Sequence, residues 1–259
     1  MEVNTKVKLS GLTLDNPVIP ASGTYGFGKE YIDFYDINIL GSISIKGTTV
    51  QRRKGNPQPR IAECYSGLIN SVGLENPGME NVIQKELKDL EKIYRKPVIA
   101  NISGFSVEEY VTLAREMDKV DNVGIIEVNI SCPNVDHGGL AFGTNADNVR
   151  ELTKKIKKVT TKPVYMKLSP NVTDIKEIAR AAEEGGADGI SLINTLMGMR
   201  IDINRRRPVI ANKKGGFSGP AIFPVALRMV YEVYEATNLP IIGIGGISSA
   251  EDVIEMMMA

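Results

Sequence analysis

The feature that most constrains this fold is an alternation of short apolar segments with longer amphipathic segments along the whole chain. Most of the apolar segments are rich in β-branched residues and nearly continuous in their apolar character, which is typical of parallel strands buried on both faces. They are Pro17–Pro20, Ser42–Ile45, Pro97–Ala100, Gly124–Ile130, Pro163–Leu168, Gly189–Ile193 and Pro240–Ile244. Strands that alternate with helices predict an α/β fold built on a parallel sheet.

Helical patterns fill the intervals between these strands. They are Asn76–Tyr94, Ser106–Met117, Asn145–Val159, Thr173–Glu184, Pro220–Ala236 and Ser248–Met258. Ser106 with Glu109 predicts a capping box, and Ser248 with Glu251 predicts a second one. At the N-terminus, Ser10-Gly11 inside an alternating segment predicts a hairpin at about residues 5–15, which we expect to close the barrel floor.

The alternation of strands and helices favours a TIM-type (β/α)8 barrel over an open doubly wound sheet. The 259 residues suit one barrel, and no linker interrupts them, so we expect a single domain over residues 1–259. Seven strands are predicted where a closed barrel needs about eight. We therefore expect the eighth strand-helix unit to be missing from this chain. The open sheet is the alternative, because it needs no eighth strand.

Composition excludes several classes of protein. The chain has 31 Lys and Arg residues against 31 Asp and Glu residues, so no global charge favours nucleic acid. No apolar run reaches the ~20 residues that span a bilayer, and the first residues lack the plan of a signal peptide. Two cysteines and one histidine offer little for a metal site. We expect a cytoplasmic protein without a metal.

Every predicted strand ends in a polar residue or in glycine. In barrels of this kind the chemistry lies at these carboxyl ends. The strand ends are Ser22-Gly23, Lys46-Gly47, Asn101, Asn129 with Cys132, Lys167, Asn194-Thr195 and Gly245-Gly246. Lysine is rarely buried without a partner, so Lys46 and Lys167 at the edges of apolar runs predict an anionic ligand.

Two glycine-rich segments precede helices. Gly243–Ser248 joins the last predicted strand to a helix, where backbone amides and the helix N-terminus favour a phosphate. Gly215–Pro220 precedes another helix and is predicted to contact the same ligand. Tight packing of the turn is the simpler explanation for either segment alone.

Cys132 follows the fourth predicted strand, on a segment that runs to Gly143 and is long enough for a lid. From its position alone, a reactive thiol and an inert buried thiol are equally reasonable. We expect His137 to be a lid residue rather than a catalyst, and Cys64 to be structural. The basic runs at 52–54 and 205–207 are expected to be solvated faces, with contact to a partner as the alternative.

Four segments together resemble the dihydroorotate dehydrogenase family. They are Asn70–Gly78, Asn129–Asn134, Ile193–Thr195 and Ile242–Ile247, and the likeness runs from Leu12 to the end of the chain. Cysteine rather than serine at position 132 resembles class 1 of the family, and the segment Cys132–Gly139 looks like class 1B, the NAD-linked form. This class implies FMN on the barrel and a partner subunit that carries FAD and a 2Fe–2S cluster. It also implies a homodimer within a heterotetramer.

The resemblance also implies a role for individual residues. Those matching flavin-binding positions are Ser22, Lys46, Gly47, Asn101, Asn129, Lys167, Ile193, Gly219, Gly245 and Gly246. Those matching dihydroorotate-binding positions are Lys46, Asn70, Ser71, Val72, Gly73, Leu74, Asn129, Asn194 and Thr195. Cys132 matches the catalytic base that removes a carbon-bound proton as hydride passes to FMN, and Lys167 is expected to stabilise charge on the reduced flavin.

The implied function is oxidation of dihydroorotate to orotate in de novo pyrimidine (UMP) biosynthesis, with electrons passed to NAD. Four alternatives stay open at this point. They are another flavin barrel of the dihydropyrimidine type, a fumarate-linked class 1A enzyme, a phosphate-binding lyase that uses Lys167 as a Schiff base, and a scaffold without activity.

Overall fold

A computed structural model describes residues 3–131 and 142–259. Its strands, in chain order, are β1 Val7–Leu9, β2 Leu12–Leu14, β3 Ile61–Cys64, β4 Gly67–Asn70, β5 Val98–Ile102, β6 Val123–Asn129, β7 Val164–Lys167, β8 Gly189–Leu192, β9 Leu196–Met199, β10 Ile201–Asp202, β11 Arg207–Pro208, β12 Lys214–Ser218 and β13 Ile241–Gly243. The α-helices are α1 Ser22–Tyr25, α2 Met79–Asn81, α3 Leu87–Ile93, α4 Val107–Asp118, α5 Ala146–Lys157, α6 Ile175–Glu184, α7 Phe223–Ala236 and α8 Ala250–Met258. Short 3₁₀ turns occur at Lys29–Tyr31, Ile37–Ile39, Phe142–Thr144 and Pro220–Ile222.

The centre of the fold is a parallel sheet of five strands in the order β13-β8-β7-β6-β5. Helices α4, α5, α6 and α7 connect these strands and pack on the outside of the sheet, as alternation of strands and helices predicts. Parallel bridges from Ser44 to Ile99 and from Thr48 to Ile102 extend the pairing beyond β5 to the segment at residues 42–48. The backbone of Ile45 donates to Ile99 O at 3.0 Å.

The prediction of a regular first strand at Pro17–Pro20 is wrong. This segment has no strand in the structure, and one backbone hydrogen bond joins it to its neighbour, from Gly41 N to Val18 O at 3.0 Å. Pro17 and Pro20 lack the N–H groups that a ladder requires, which explains the irregular pairing. The second predicted strand, Ser42–Ile45, is reduced to the bridges described above. Among the described residues, the parallel strands do not close into a complete ring.

The six predicted helices form, with small differences at their ends. The first contains a π-helical stretch at Val82–Glu86 between α2 and α3. The Ser106 hydroxyl caps α4 by accepting from Glu109 N, whereas the Glu109 carboxylate accepts from Phe105 N. The second predicted capping box is displaced by one residue. Ser249 is the N-cap and pairs with Asp252, because α8 begins at Ala250.

The N-terminal hairpin β1–β2 lies against the amino ends of the parallel strands. Ser10 Oγ lies 2.9 Å from the hydroxyl of Tyr165 and donates to Asp188 O at 2.8 Å. A small apolar cluster fills the space between the hairpin and the strands, and it consists of Leu9, Leu14, Ile99, Ile125 and Tyr165. Burial of this cluster fixes one end of the barrel as an apolar floor and leaves the other end for polar groups.

An antiparallel sheet, which the sequence analysis did not predict, rises beside the opposite end of the barrel. Its strand order is β3-β4-β12-β9, and Asn70 on β4 is in register with Gly216 on β12. We call this sheet the arm. The strands are short, and β4, β9 and β12 contain glycine, so they lack the apolar periodicity by which the barrel strands are found.

Close packing of Tyr165 against Gly189 gives a test of the interior. A Cβ at Gly189 would overlap the Tyr165 ring, which is fully buried. We expect Gly189→Ala to lower the free energy of unfolding by about 1–3 kcal/mol, the usual cost of overpacking. Urea denaturation measures the change. Gly23→Ala is the matched control, since a Cβ there meets nothing within 4 Å. Equal stability of both variants would contradict the packing described here.

Candidate active site at the barrel mouth

Polar side chains form a layer inside the barrel, above the apolar floor. The layer consists of Asn101, Glu127, Lys167 and Ser191, one from each of four neighbouring strands. Asn101 is in register with Glu127, and Lys167 is in register with Ser191. All four residues are buried in the interior of the sheet. We call these four residues the polar layer.

Glu127 lies at the centre of the polar layer and is 1% exposed. Its Oε2 atom accepts hydrogen bonds from Asn101 Nδ2 and from Ser44 Oγ, the latter at 3.3 Å. The same oxygen lies 3.6 Å from Lys167 Nζ, and Lys167 is 5% exposed. Sequence reasoning missed Glu127. The available signal was a single acidic residue inside the apolar segment Val123–Asn129, where a buried charge requires partners.

Amide and hydroxyl groups lie one step closer to the mouth. Asn194 Nδ2 donates to Asn129 Oδ1 at 3.2 Å, and the same oxygen accepts from Ser131 N at 3.2 Å. Ser131 Oγ donates to Lys167 O at 3.3 Å. The hydroxyl of Tyr110 fixes the end of β6 by donating to Asn129 O at 2.7 Å. These bonds hold the two asparagines at the carboxyl ends of their strands.

Lys46 follows the bridged segment and reaches the same mouth. Its backbone N–H donates to Gly26 O at 2.8 Å, which fixes the residue in place. Burial lowers the pKa of Lys46 below its usual 10.5, with the nearby charges of Glu75 and Arg60 acting in opposite directions. An anion at this position would favour the charged form of the ammonium.

Three glycines bring two loops together at the side of the mouth. Gly245 has φ +133°, Gly246 has φ +73° and Gly219 has φ +116°. A Cβ at Gly246 would lie 2.7 Å from Phe223 N and 2.8 Å from Gly219 O. Glycine is therefore required for the loops after β12 and β13 to meet at the beginnings of α7 and α8, where backbone amides and helix N-termini favour an anion.

The arm carries the segment Asn70–Leu74 over the mouth. Asn70 Nδ2 donates to Gly216 O at 3.3 Å, and Leu74 has a positive φ of 54°. An ion pair joins Glu75, the residue after this segment, to Arg60, the residue before β3. Arg53, from one of the basic runs, is partly buried and lies over the Phe105 ring at 4.5 Å.

All predicted site residues in the described part of the chain line one cavity of about 1810 Å³. The cavity extends from the mouth to the hairpin at the floor and is also lined by residues of α7 and α8, whereas Glu127 is not part of its wall. Its wall contains Ser22, Lys46, Gly47, Asn70, Ser71, Val72, Gly73, Leu74, Asn101, Asn129, Lys167, Ile193, Asn194, Thr195, Gly219, Gly245 and Gly246. The individual roles of these residues stay predictions.

The predictions for Cys132 and His137 lie outside the described residues. Ser131, the residue before Cys132, lines the cavity. Cys64 lies on β3, is partly buried, and does not line the cavity. Over residues 3–131 and 142–259, no group of three or more potential metal-ligating side chains occurs. No helix in the same residues is long and apolar enough to cross a membrane.

A parallel α/β barrel with cations, amides and glycine loops at its C-terminal end defines a class of barrel enzymes that bind anionic, phosphate-bearing ligands. The sequence matches the family model described as dihydroorotate dehydrogenase over residues 4–259. The chain therefore belongs to the dihydroorotate dehydrogenase family, is an oxidoreductase, and has the TIM-type barrel fold of that family.

Curated relatives agree with this assignment. The protein named dihydroorotate dehydrogenase B (NAD(+)), catalytic subunit, from Halalkalibacterium halodurans is 57% identical over 253 residues, which are 98% of this chain and 83% of the relative. Proteins of the same name from Bacillus cytotoxicus and Bacillus cereus (strain AH187) are each 57% identical over 254 residues, which are 98% of this chain and 82% of the relative.

Burial of Lys46 predicts a pH dependence of stability. The folded chain loses the Lys46 proton at a lower pH than the unfolded chain, whose lysine has the usual pKa of 10.5. Between these pKa values the unfolded state binds more protons, so this residue's contribution to the free energy of unfolding increases with pH. Below both values, the cost of the buried cation is present in full.

We therefore expect Lys46→Met to stabilise the ligand-free protein relative to wild type at pH 7, and by less as the pH approaches 10. Urea denaturation across this range measures the difference. The exposed Lys158, replaced by Met, is the control and should show no such convergence. A constant difference between wild type and Lys46→Met would contradict the assigned burial.

Proposed function

We propose that this enzyme oxidises dihydroorotate to orotate in pyrimidine biosynthesis, with FMN bound at the barrel mouth and electrons passed to NAD through a partner subunit. The observation that carries the proposal is the set of side chains at the mouth: Lys46 and Lys167 with Asn101, Asn129 and Asn194. Asparagines offer donors and acceptors to a ligand rich in amide groups, and the ammonium groups favour its carboxylate.

The residues present fit a flavin mononucleotide. Asn101 Oδ1 and Ser191 Oγ are buried and, within the described residues, lack a hydrogen-bond partner. Buried polar atoms are rarely left in this state, so a ligand that donates hydrogen bonds accounts for Asn101. The glycines at Gly219 and Gly245-Gly246 let the loops after β12 and β13 meet beside the start of α7, where backbone amides and a helix N-terminus suit the phosphate.

Three groups of residues would bind the flavin and the substrate. Ser22, Gly47, Gly219, Gly245 and Gly246 would hold the phosphate and the ring by close backbone approach. Asn101, Asn129 and Lys167 would bind the polar edge of the ring, and Ile193 would pack against it. The arm residues Asn70–Leu74, with Lys46, Asn194 and Thr195, would hold dihydroorotate.

FMN, when bound, supplies the acceptor for the hydride that leaves the substrate. Cys132 would remove the proton from the adjacent carbon as a general base. Its neighbour Ser131 is fixed at the cavity wall by hydrogen bonds to Asn129 and Lys167. Lys46 and Lys167 would stabilise negative charge that develops during oxidation.

The electron path follows from the names of the relatives. A catalytic subunit of an NAD(+) enzyme implies a separate electron-transfer subunit. We propose that this partner carries FAD and a 2Fe–2S cluster, and that the chain forms a homodimer within a heterotetramer. We also propose that the enzyme acts in the cytoplasm.

The first experiment is an absorbance titration of the purified protein without oxygen. We expect flavin absorbance that bleaches when dihydroorotate is added. A flavin that bleaches with dihydrouracil and not with dihydroorotate would indicate the dihydropyrimidine alternative. Oxidation by fumarate in the absence of a partner subunit would indicate the class 1A alternative. A colourless protein that borohydride traps with a carbonyl substrate would contradict the proposal and favour the lyase.

Replacement of Cys132 tests the general base. We expect Cys132→Ala to lower turnover by roughly 10²–10⁴-fold, the usual contribution of a positioned base, while flavin binding is retained. Stopped-flow bleaching measures the reductive half-reaction directly. Cys64→Ala is the matched control, because Cys64 is outside the cavity, and it should bleach at the wild-type rate. Wild-type bleaching by Cys132→Ala would exclude this thiol as the base.

A further inference from the structure

The polar layer contains a charged group that none of the roles above uses. Glu127 does not line the cavity, yet it contacts two residues that do, Asn101 and Lys167. A carboxylate with almost no exposure is costly, and apolar residues surround it along β6. We therefore explain the burial of Glu127 by its contacts with Asn101 and Lys167.

Asn101 is oriented by this contact. An asparagine amide has one end that donates and one end that accepts, and its orientation is set by its partners. Glu127 can only accept when ionised, so Asn101 must turn Nδ2 toward it. Oδ1 of Asn101 is then buried without a partner in the described residues, on the side next to Gly47.

Lys167 is oriented in the same way. Its ammonium lies 3.6 Å from Glu127 Oε2 while the residue lines the cavity. Ser44 donates to the same oxygen from the segment beyond β5, so the carboxylate is held from a third direction. The layer thus places the Asn101 acceptor beside Gly47 and the Lys167 cation in the cavity wall, with the compensating negative charge of Glu127 next to both side chains.

We propose that Glu127 is a positioning residue that sets the hydrogen-bond polarity of the mouth: it turns the acceptor of Asn101 toward Gly47 in the cavity wall and holds Lys167 for a ligand edge that combines an N–H donor with a carbonyl or anionic acceptor. The pyrimidine edge of a flavin, with an N–H between carbonyl groups, has this pattern. The inference rests on the proposed function for its ligand, but it concerns a residue that does not touch that ligand.

Two properties of the bound flavin follow from this role. Loss of the carboxylate allows the Asn101 amide to reverse, so that a donor faces the N–H of the ligand and binding weakens. Loss of its negative charge also leaves Lys167 uncompensated, and a more positive environment favours the reduced, more negative flavin. The midpoint potential should therefore become more positive.

The test compares three variants of the full-length chain with wild type. Glu127→Gln keeps the size of the side chain and removes its charge, whereas Glu127→Asp keeps the charge and withdraws it from Asn101. Tyr165→Phe is the matched control, because it removes another buried polar group from the barrel interior, the hydroxyl that contacts Ser10 below the polar layer. Midpoint potentials come from equilibration with redox dyes, and FMN dissociation constants come from fluorescence titration.

For Glu127→Gln we expect an FMN dissociation constant raised about 10- to 100-fold, the range for loss of one hydrogen bond to a charged group, and a more positive potential. For Glu127→Asp we expect weakened binding with a smaller change in potential, and this variant serves if Glu127→Gln does not fold. Tyr165→Phe should lower the melting temperature and leave both flavin readouts unchanged.

A flavin methylated at its pyrimidine N–H separates orientation from general damage. Wild type should bind this analogue more weakly than FMN, and Glu127→Gln should lose most of that discrimination. If Glu127→Gln behaves like Tyr165→Phe, with lower stability but unchanged binding, potential and discrimination, the inference is overturned and the proposed function stands. If wild type binds FMN but dihydroorotate does not reduce it, the proposed substrate fails, while the flavin readouts still decide the role of Glu127. A wild type that bound no FMN would overturn both.

Discussion

The shared direction of the parallel strands is the constraint on which the rest of this structure depends. Because β5, β6, β7, β8 and β13 run the same way, their carboxyl ends meet at one mouth and their amino ends meet at one floor. The hairpin β1–β2 covers the floor with apolar side chains. Polar groups that are far apart in the sequence, from Ser22 to Gly246, are thereby gathered around one cavity.

This arrangement buries charged and polar groups inside the barrel. Several of these groups have a partner within the protein, at different depths below the mouth. Below, Tyr165 uses its hydroxyl within the floor. In the middle, Glu127 compensates Lys167 and fixes Asn101. Nearer the mouth, the Asn194 side chain donates a hydrogen bond to the Asn129 side chain. Hydrogen bonds within the protein therefore hold the groups nearest the mouth in position before a ligand arrives, as efficient binding of a polar ligand requires.

Membership of the dihydroorotate dehydrogenase family gives these layers a chemical context. A flavin bound across the mouth would meet fixed donors and acceptors on one side and a glycine-lined helix N-terminus on the other. The arm then adds a surface that the barrel alone does not provide, since its Asn70–Leu74 segment covers the mouth. The barrel and the arm together enclose the space where we propose that dihydroorotate is oxidised.

The sequence by itself determined the architecture of the barrel. Apolar segments and caps located five parallel strands and six helices, because these elements depend on local periodicity. Strand ends supplied Lys46, Asn101, Asn129, Lys167 and the glycine pair at 245–246, since a parallel sheet places such ends together. The resemblance of four short segments supplied the family, which the comparisons confirm.

Only the tertiary structure decided the rest, because it depends on which residues meet across the barrel. Pro17–Pro20 does not form a strand, because its two prolines have no backbone N–H to donate to a neighbouring strand. The arm was missed, since short glycine-rich strands carry no periodic signal. Glu127 is the clearest case. In the sequence it is one acidic residue within an apolar strand. The role that we propose for it depends on Asn101, Lys167 and Ser44, three residues that only the folded chain brings to the same carboxylate oxygen.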